Sequence, residues 1–354
     1  MTKKELIRAI GFFLVICCLV TMLCDMFESS NGRSSQALQT YYDFEEDTVD
    51  VIVYGTSGID RYFIAGKAFE EYGLTAYPVA VDGFPAWLYS VTIEETLKHQ
   101  NPKLVVIDMR SFTTNYTFNS QKFENRTRRL TNILPFFSLN YLKGVKRSYD
   151  IIKEYTDTAS FETMMSYYFP FIRYHSMWED EQDISFDELK DPKSTVHGFF
   201  TMKLRSLQTT MEFEDTEVTE ERKDLHPVCE EYIYELLDYF DENADYEVLF
   251  VDTPRYLNGS EVRRMNTLCD ILDERGYNYV RFPLDEEIYD KTADFIDDGH
   301  VNYYGAEKFT PIFAEYLVEN YDLPDRRADQ RCIEDWVGPY DTIKKRIANW
   351  EKAQ

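Results

Sequence analysis

Between Asp50 and Tyr321 the chain alternates short, continuous apolar runs with amphipathic stretches at helical spacing, and this alternation limits the fold more than any other feature. Residues 51–54, 74–81, 104–108, 246–252 and 277–282 read as strands, and 64–72, 91–99, 228–242, 262–275 and 304–321 as helices. Strands that are apolar throughout, rather than on alternate positions, must be covered on both faces. Alternation with helices then implies a mostly parallel sheet in an α/β fold.

The pattern breaks between about 113 and 227. There Tyr, Phe and Met recur at helical spacing, as in 139–156 and 161–178, without a convincing strand. We expect a helical, aromatic-rich insertion at about 115–226. Within it, Arg173-Tyr174-His175-Ser176-Met177-Trp178 reads either as the lining of a cleft or as the core of a packed subdomain.

Lys3, Lys4 and Arg8 precede an apolar run over 9–24, which Met26 and Phe27 extend past Asp25. A transmembrane helix needs about 20 mostly apolar residues, which 6–27 supplies if Arg8 snorkels. The basic flank then stays in the cytoplasm. A cleaved signal peptide is the rival, but Met22, Leu23, Asp25 and Met26 stand where a small-x-small cleavage site belongs. The expected organisation is a cytoplasmic tail over 1–8, an anchor over 9–27, a polar tether over 28–49, an α/β domain over 50–322, and a helical tail over 323–354. The tether carries a short helix near 37–44.

A formal charge of −26 excludes the basic surface that nucleic-acid binding requires. Of six cysteines, Cys17, Cys18 and Cys24 fall in the apolar segment, leaving Cys229, Cys269 and Cys332, an odd number without CxxC spacing. One disulfide or three free thiols fit equally. His99, His197 and His226 lack partners at metal-ligand spacing, so neither metal nor cofactor is expected.

Two motifs carry chemistry. The first strand runs into Tyr54-Gly55-Thr56-Ser57-Gly58-Ile59, which places Ser57 at the carboxyl edge of the sheet, where open α/β sheets bind ligands. Alone, this is as well read as a turn and helix cap. The second is Asp297-Asp298-Gly299-His300, before the last helix. Three residues' spacing lets the Asp297 carboxylate reach a ring nitrogen of His300 and fix its tautomer, so that the other nitrogen can take a serine proton. Asp252-Thr253-Pro254-Arg255 ends another strand at the same edge, with Arg255 as a substrate contact or a structural ion pair.

A strand-end serine early in the domain and Asp-x-x-His before the final helix together resemble the SGNH/GDSL hydrolase superfamily. The resemblance implies Ser57 as nucleophile, His300 as base and Asp297 as its orienter, on a three-layer α/β/α flavodoxin-like sheet. It implies an oxyanion hole from the Ser57 N–H, a glycine matched in position by Gly83, and a third donor after the third strand. The family's Gly-x-Asn-Asp is absent there, leaving Arg110 or Asn115 for that role. Gly-x-Ser-x-Gly is also absent, so an α/β-hydrolase fits less well. A narrower likeness, of architecture, is to anchored outward-facing members that work on cell-surface polymers: the D-alanyl transfer protein of teichoic-acid systems and polysaccharide O-acetyltransferases. It implies an extracytoplasmic esterase or O-acyltransferase at the cell membrane. The expected partners are a cell-surface glycan or acylated polymer and a multi-spanning membrane acyltransferase. A non-catalytic glycan-binding or assembly protein on the same fold is the alternative.

Overall fold

The computed structural model describes residues 2–27, 33–81, 83–118, 134–135, 138–156, 160–169, 172, 195–200 and 218–352. It divides into two compact units, one of Met1–Ser35 with Thr117–Pro192 and the other of Gln36–Tyr116 with Lys193–Gln354.

In the first unit, α1 (Lys3–Phe27) is a continuous 25-residue helix. Leu6, Ile7, Ile10, Phe12, Phe13 and Leu14 are all exposed along it. Among the described residues no helix is long and apolar enough to cross a membrane. The side chains at 21 and 23–27, in the last turns of α1, lie outside that description. The expected helix over 139–156 forms as Leu139–Tyr155, capped by Ser138, whose hydroxyl accepts from the Tyr141 N–H. That over 161–178 forms as Phe161–Tyr168. The cluster from Arg173 to Trp178 lies outside the described residues.

The second unit is built on a five-stranded, all-parallel sheet. Helices α2 (Arg33–Asp43, in this unit from Gln36 on), α3 (Ser57–Asp60), α4 (Ala65–Tyr72), α5 (Tyr89–Thr96) and α6 (Arg110–Thr113) fall in its first half. With the two insertion helices as α7 and α8, there follow α9 (Pro227–Asn243), α10 (Gly259–Arg275), α11 (Tyr303–Asn320), α12 (Gln330–Trp336) and α13 (Pro339–Lys352). The strands are β1 (Val51–Gly55), β2 (Ala76–Ala80), β3 (Leu104–Asp108), β6 (Glu247–Asp252) and β7 (Asn278–Arg281), in the order β2-β1-β3-β6-β7. β4 and β5 form a separate hairpin, described below.

This is a doubly wound order. Right-handed crossovers explain the layers: β1 to β2 moves one way across the sheet, while β2 to β3, β3 to β6 and β6 to β7 move the other. The first crossover therefore puts α4 on one face, and the others put α5, α9 and α10 on the opposite face. α4 packs with α11 and α13, and α9 packs with α5 and α6. Pro78 sits in β2, at the sheet edge, where its missing N–H breaks no ladder. β1, β2 and β3 are buried throughout, as their uninterrupted apolar sequences require.

Three expectations need correction. The stretch over 28–49 is not a tether from Ala37 onward. Tyr41 and Phe44 are buried, Tyr41 donates to the Thr96 carbonyl at 2.9 Å, and the Ala37 carbonyl accepts from Tyr77 at 2.6 Å. Nor is 323–354 an appended tail. Arg326 makes a two-pronged ion pair with the buried Asp50, at 2.7 Å on each oxygen, and Trp336 stacks on Phe44 at 5.2 Å. Finally, the insertion carries a small hairpin, β4 (Thr195–Val196) with β5 (Phe199–Phe200). Its two-residue turn, His197 at φ 45° and Gly198 at φ 73°, has both residues left-handed, as a type I′ turn demands. His197 packs its ring against Phe44 and Trp336 at 5.2 Å each, and burial pushes its imidazole down to about 4. Cys229, Cys269 and Cys332 are free and buried.

Candidate active site

All residues of the site belong to the second unit. β1 ends at Gly55, where a side chain has no room: a Cβ there would lie 2.3 Å from Ile59 Cγ1 and 2.7 Å from Asp108 Cβ. The close approach brings the strand ends of β1 and β3 together. Asp108 Oδ2 accepts from the Thr56 N–H at 3.0 Å and the Thr56 hydroxyl at 2.6 Å, and its Oδ1 accepts from the Arg110 N–H at 3.0 Å. Thr56 in turn caps α3, accepting from the Gly58 N–H at 3.1 Å. Ser57 is thus the first residue of α3, with its own N–H in the turn that lacks intrahelical acceptors.

The Asp-x-x-His stretch is a tight hairpin rather than an open loop. β8 (Phe295–Asp297) pairs antiparallel with β9 (His300–Val301), so that Asp297 stands opposite His300 with both side chains on one face. Asn302 then caps α11, accepting from the N–H groups of Tyr304 at 2.9 Å and Gly305 at 3.2 Å. The cap fixes where the hairpin stops.

The two motifs meet. Ser57 Oγ lies 2.7 Å from His300 Nε2, and His300 Nδ1 lies 2.6 Å from Asp297 Oδ1. The same Asp297 oxygen accepts from the Gly299 N–H at 3.0 Å. With an ionised Asp297, Nδ1 carries the proton and Nε2 is left to accept from the serine hydroxyl. Burial opposes the Asp297 charge, but the bond and charge of His300 and the Gly299 N–H outweigh it and hold the carboxyl below its ordinary range. Burial is the main reason the His300 imidazole lies below its ordinary value; Arg61 and Arg110 add to this, and Asp297 opposes it. The ring is therefore neutral near pH 7, the form a general base needs.

Arg110 braces the site from β3. Its Nη1 donates to the Gly299 carbonyl at 3.1 Å and its Nη2 to the Thr253 hydroxyl at 3.4 Å. Its guanidinium covers Gly58 so closely that a Cβ there would fall 2.8 Å from Arg110 Cζ. Burial disfavours its charge, yet Tyr62, Asp108 and Asp252 more than compensate, so it is cationic. Tyr62 donates to the carbonyls of Pro254 at 2.8 Å and Gly299 at 3.1 Å, tying the strand end after β6 to the hairpin.

Of the residues expected from sequence, Ser57, Asp297 and His300 come together and Arg110 stands beside them. Gly83 lies in a half-exposed turn after β2 at φ 64°, and Asp82 before it is outside the described residues. Asn115 is exposed, because α6 turns the chain away from the sheet edge, with Thr113 and Thr114 donating to the Arg110 carbonyl. Among the described residues no hydrogen bond links Gly83 or Asn115 to Ser57, Asp297 or His300. The sequence reading missed Asp108 and Thr253. A signal was present: β3 (Leu-Val-Val-Ile-Asp) and β6 (Glu-Val-Leu-Phe-Val-Asp) each finish an apolar run on a buried carboxylate. His99, His197 and His226 belong to no group able to hold a metal among the described residues. Neither a family model nor a curated protein matches the chain.

Proposed function

We infer that the chain is an SGNH-type serine esterase or O-acyltransferase that works through an acyl-enzyme on Ser57. The observation that carries this reading is the continuous Ser57–His300–Asp297 hydrogen-bond relay, at 2.7 and 2.6 Å, on the carboxyl edge of a doubly wound sheet. Neutral His300 takes the hydroxyl proton as Ser57 Oγ attacks an acyl carbonyl. Asp297 stabilises the imidazolium that results, and His300 returns the proton to the leaving oxygen. Water or a sugar hydroxyl, deprotonated by the same ring, then takes the acyl group from Ser57. Negative charge on the tetrahedral carbon's oxygen is stabilised by the Ser57 N–H, with Gly83 and Arg110 as the further donors.

The anchor belongs to the same proposal. α1 is a 25-residue helix whose apolar side chains project outward, with Lys3, Lys4 and Arg8 at its start. It holds the catalytic unit outside the cell membrane, facing a cell-surface polysaccharide or related polymer, with a multi-spanning acyltransferase as the source of acyl groups. An activated fluorophosphonate should label the wild-type chain and fail to label Ser57→Ala, which stays folded. Wild-type protein that takes no label and forms no acyl intermediate with any donor would sink the enzymatic reading. The exposed position of Asn115, which takes the family's asparagine donor away from the site, favours a glycan-binding role as the second reading. Binding of a glycan that survives Ser57→Ala without any labelling of wild type would select it.

A further inference from the structure

β6 and β7 end side by side, and a cleft of about 700 Å³ is lined by the segments that follow them. Arg255 and Arg281 line it together with Asp252, the last residue of β6. Arg255 is only 8% exposed. Its nearest carboxylates are Asp252, 3.4 Å from Nε, and Glu261, 3.8 Å from Nη1. Arg281 Nε stands 3.7 Å from the other Asp252 oxygen, and its Nη1 reaches Asn266 Oδ1 at 3.5 Å. The Nε atoms of both arginines and Asp252 Oδ1 are buried without a hydrogen-bond partner.

Two guanidinium groups thus share one carboxylate at distances that supply charge balance but little hydrogen bonding. Buried donors in that condition are costly, and an interior that tolerates them commonly uses them. The six charges on the lining cancel formally, since Lys291, Glu220 and Glu286 complete the set and Lys291 pairs with Glu286 at 2.7 Å. What sets the two arginines apart is unspent donor capacity in a fork that matches two-oxygen anions. Burial, with the neighbouring Arg110 cation, already pulls the Arg255 guanidinium below its ordinary value, so a nearby anion would relieve an existing strain on its charge.

We propose that this cleft is a subsite for one compact anionic group, a carboxylate or a phosphate, gripped by Arg255 and Arg281. It rests on the reading above only in supposing that the anion is carried by the molecule that Ser57 acts on. The physical link is Thr253, which lines the cleft and accepts from Arg110 beside the Ser57 turn. The chain's charge of −26 restricts the ligand to a single anionic group rather than a polyanion.

The test titrates the full chain in neutral detergent with inorganic phosphate and, separately, with acetate, at ionic strength held constant with chloride, following heat of binding and unfolding temperature. A saturable response is expected for at least one of them, and the tighter of the two identifies the group. Arg281→Gln and Arg255→Lys should each weaken it by about tenfold or more, the worth of a lost charge-assisted bond. Arg281→Gln guards against misfolding at the more buried Arg255. No saturable response to either anion, or equal affinity in wild type and folded Arg281→Gln, overturns the proposal. Fluorophosphonate labelling separates the two readings: label without anion binding removes the subsite alone, and anion binding without label removes catalysis while the subsite stands.

Discussion

Asp108 Oδ2 accepts two hydrogen bonds from Thr56, one from its backbone N–H at 3.0 Å and one from its hydroxyl at 2.6 Å. A carboxylate at the end of β3 thereby holds the turn at the end of β1, and with it the residue that presents Ser57. The fully buried Asp108 has no water to replace those bonds if they are lost. Asp108→Asn, which keeps the shape but offers an amide N–H to a donor, should lower stability by about 2–3 kcal/mol. Urea unfolding should show a lower midpoint at unchanged m-value, and Ser57 labelling should slow in parallel. A variant that matches wild type on both measures would show that the clamp contributes nothing.

On the proposed mechanism the protonation of His300 sets the pH dependence. A general base works only when neutral, so the labelling rate is full above the His300 pKa and falls as pH drops through it. Because burial, Arg61 and Arg110 depress that pKa, the acid limb should lie below the ordinary imidazole value of 6.5. Asp297 opposes this depression. Asp297→Asn should therefore move the limb still lower while cutting the rate on the order of 10⁴-fold, as loss of the orienting carboxylate does in serine triads. A limb that moves upward in Asp297→Asn would contradict the relay.

Gly58 is where the Arg110 guanidinium lies against the backbone. In Gly58→Ala the new Cβ would meet Arg110 Cζ at 2.8 Å, so the guanidinium must swing off the Gly299 carbonyl. Losing that charge-assisted bond costs about 1.5–3 kcal/mol and the helix preference of alanine returns about 1, so stability should fall by roughly 0.5–2 kcal/mol. Labelling should slow by far more than that figure suggests. Comparing labelling rate with thermal midpoint in the one variant separates the two effects.

Arg326 joins the C-terminal segment to the start of β1. Arg326→Ala leaves the buried Asp50 carboxylate, whose two oxygens each accept from Arg326 at 2.7 Å, with the Thr75 hydroxyl at 2.9 Å as its remaining side-chain donor, and should cost about 3 kcal/mol. Arg326→Lys keeps the charge but not the two-pronged geometry, and should fall between Ala and wild type. Denaturant midpoints of the three proteins rank the terms; equal midpoints would return residues 323–352 to the status of a loose tail.

Local pattern was enough for most of the second unit. The expected strand over 104–108 is β3 to the residue, and the expected helices over 228–242 and 262–275 form as Pro227–Asn243 and Gly259–Arg275. Apolar run length and 3.6-residue spacing are properties of a few consecutive residues, so these elements were legible. The Asn258 capping box with Glu261 explains why α10 starts earlier than its apolar spacing suggests. The hairpin at His197-Gly198 went unread because its strands are two residues each, too short to show alternation.

By itself the sequence determined the alternation that makes an α/β sheet, the position of Ser57 at a strand's carboxyl end, and the spacing that lets Asp297 reach His300. Each follows from residues near one another in the chain. Tertiary structure alone decided that Ser57 and His300, 243 positions apart, lie at hydrogen-bond distance. It also decided that Asp108 holds Thr56, that Arg110 rather than Asn115 borders the site, and that Arg326 closes on Asp50 across 276 positions. Such pairings leave no periodic trace, because the energy that selects them comes from desolvated partners meeting only after the sheet has formed.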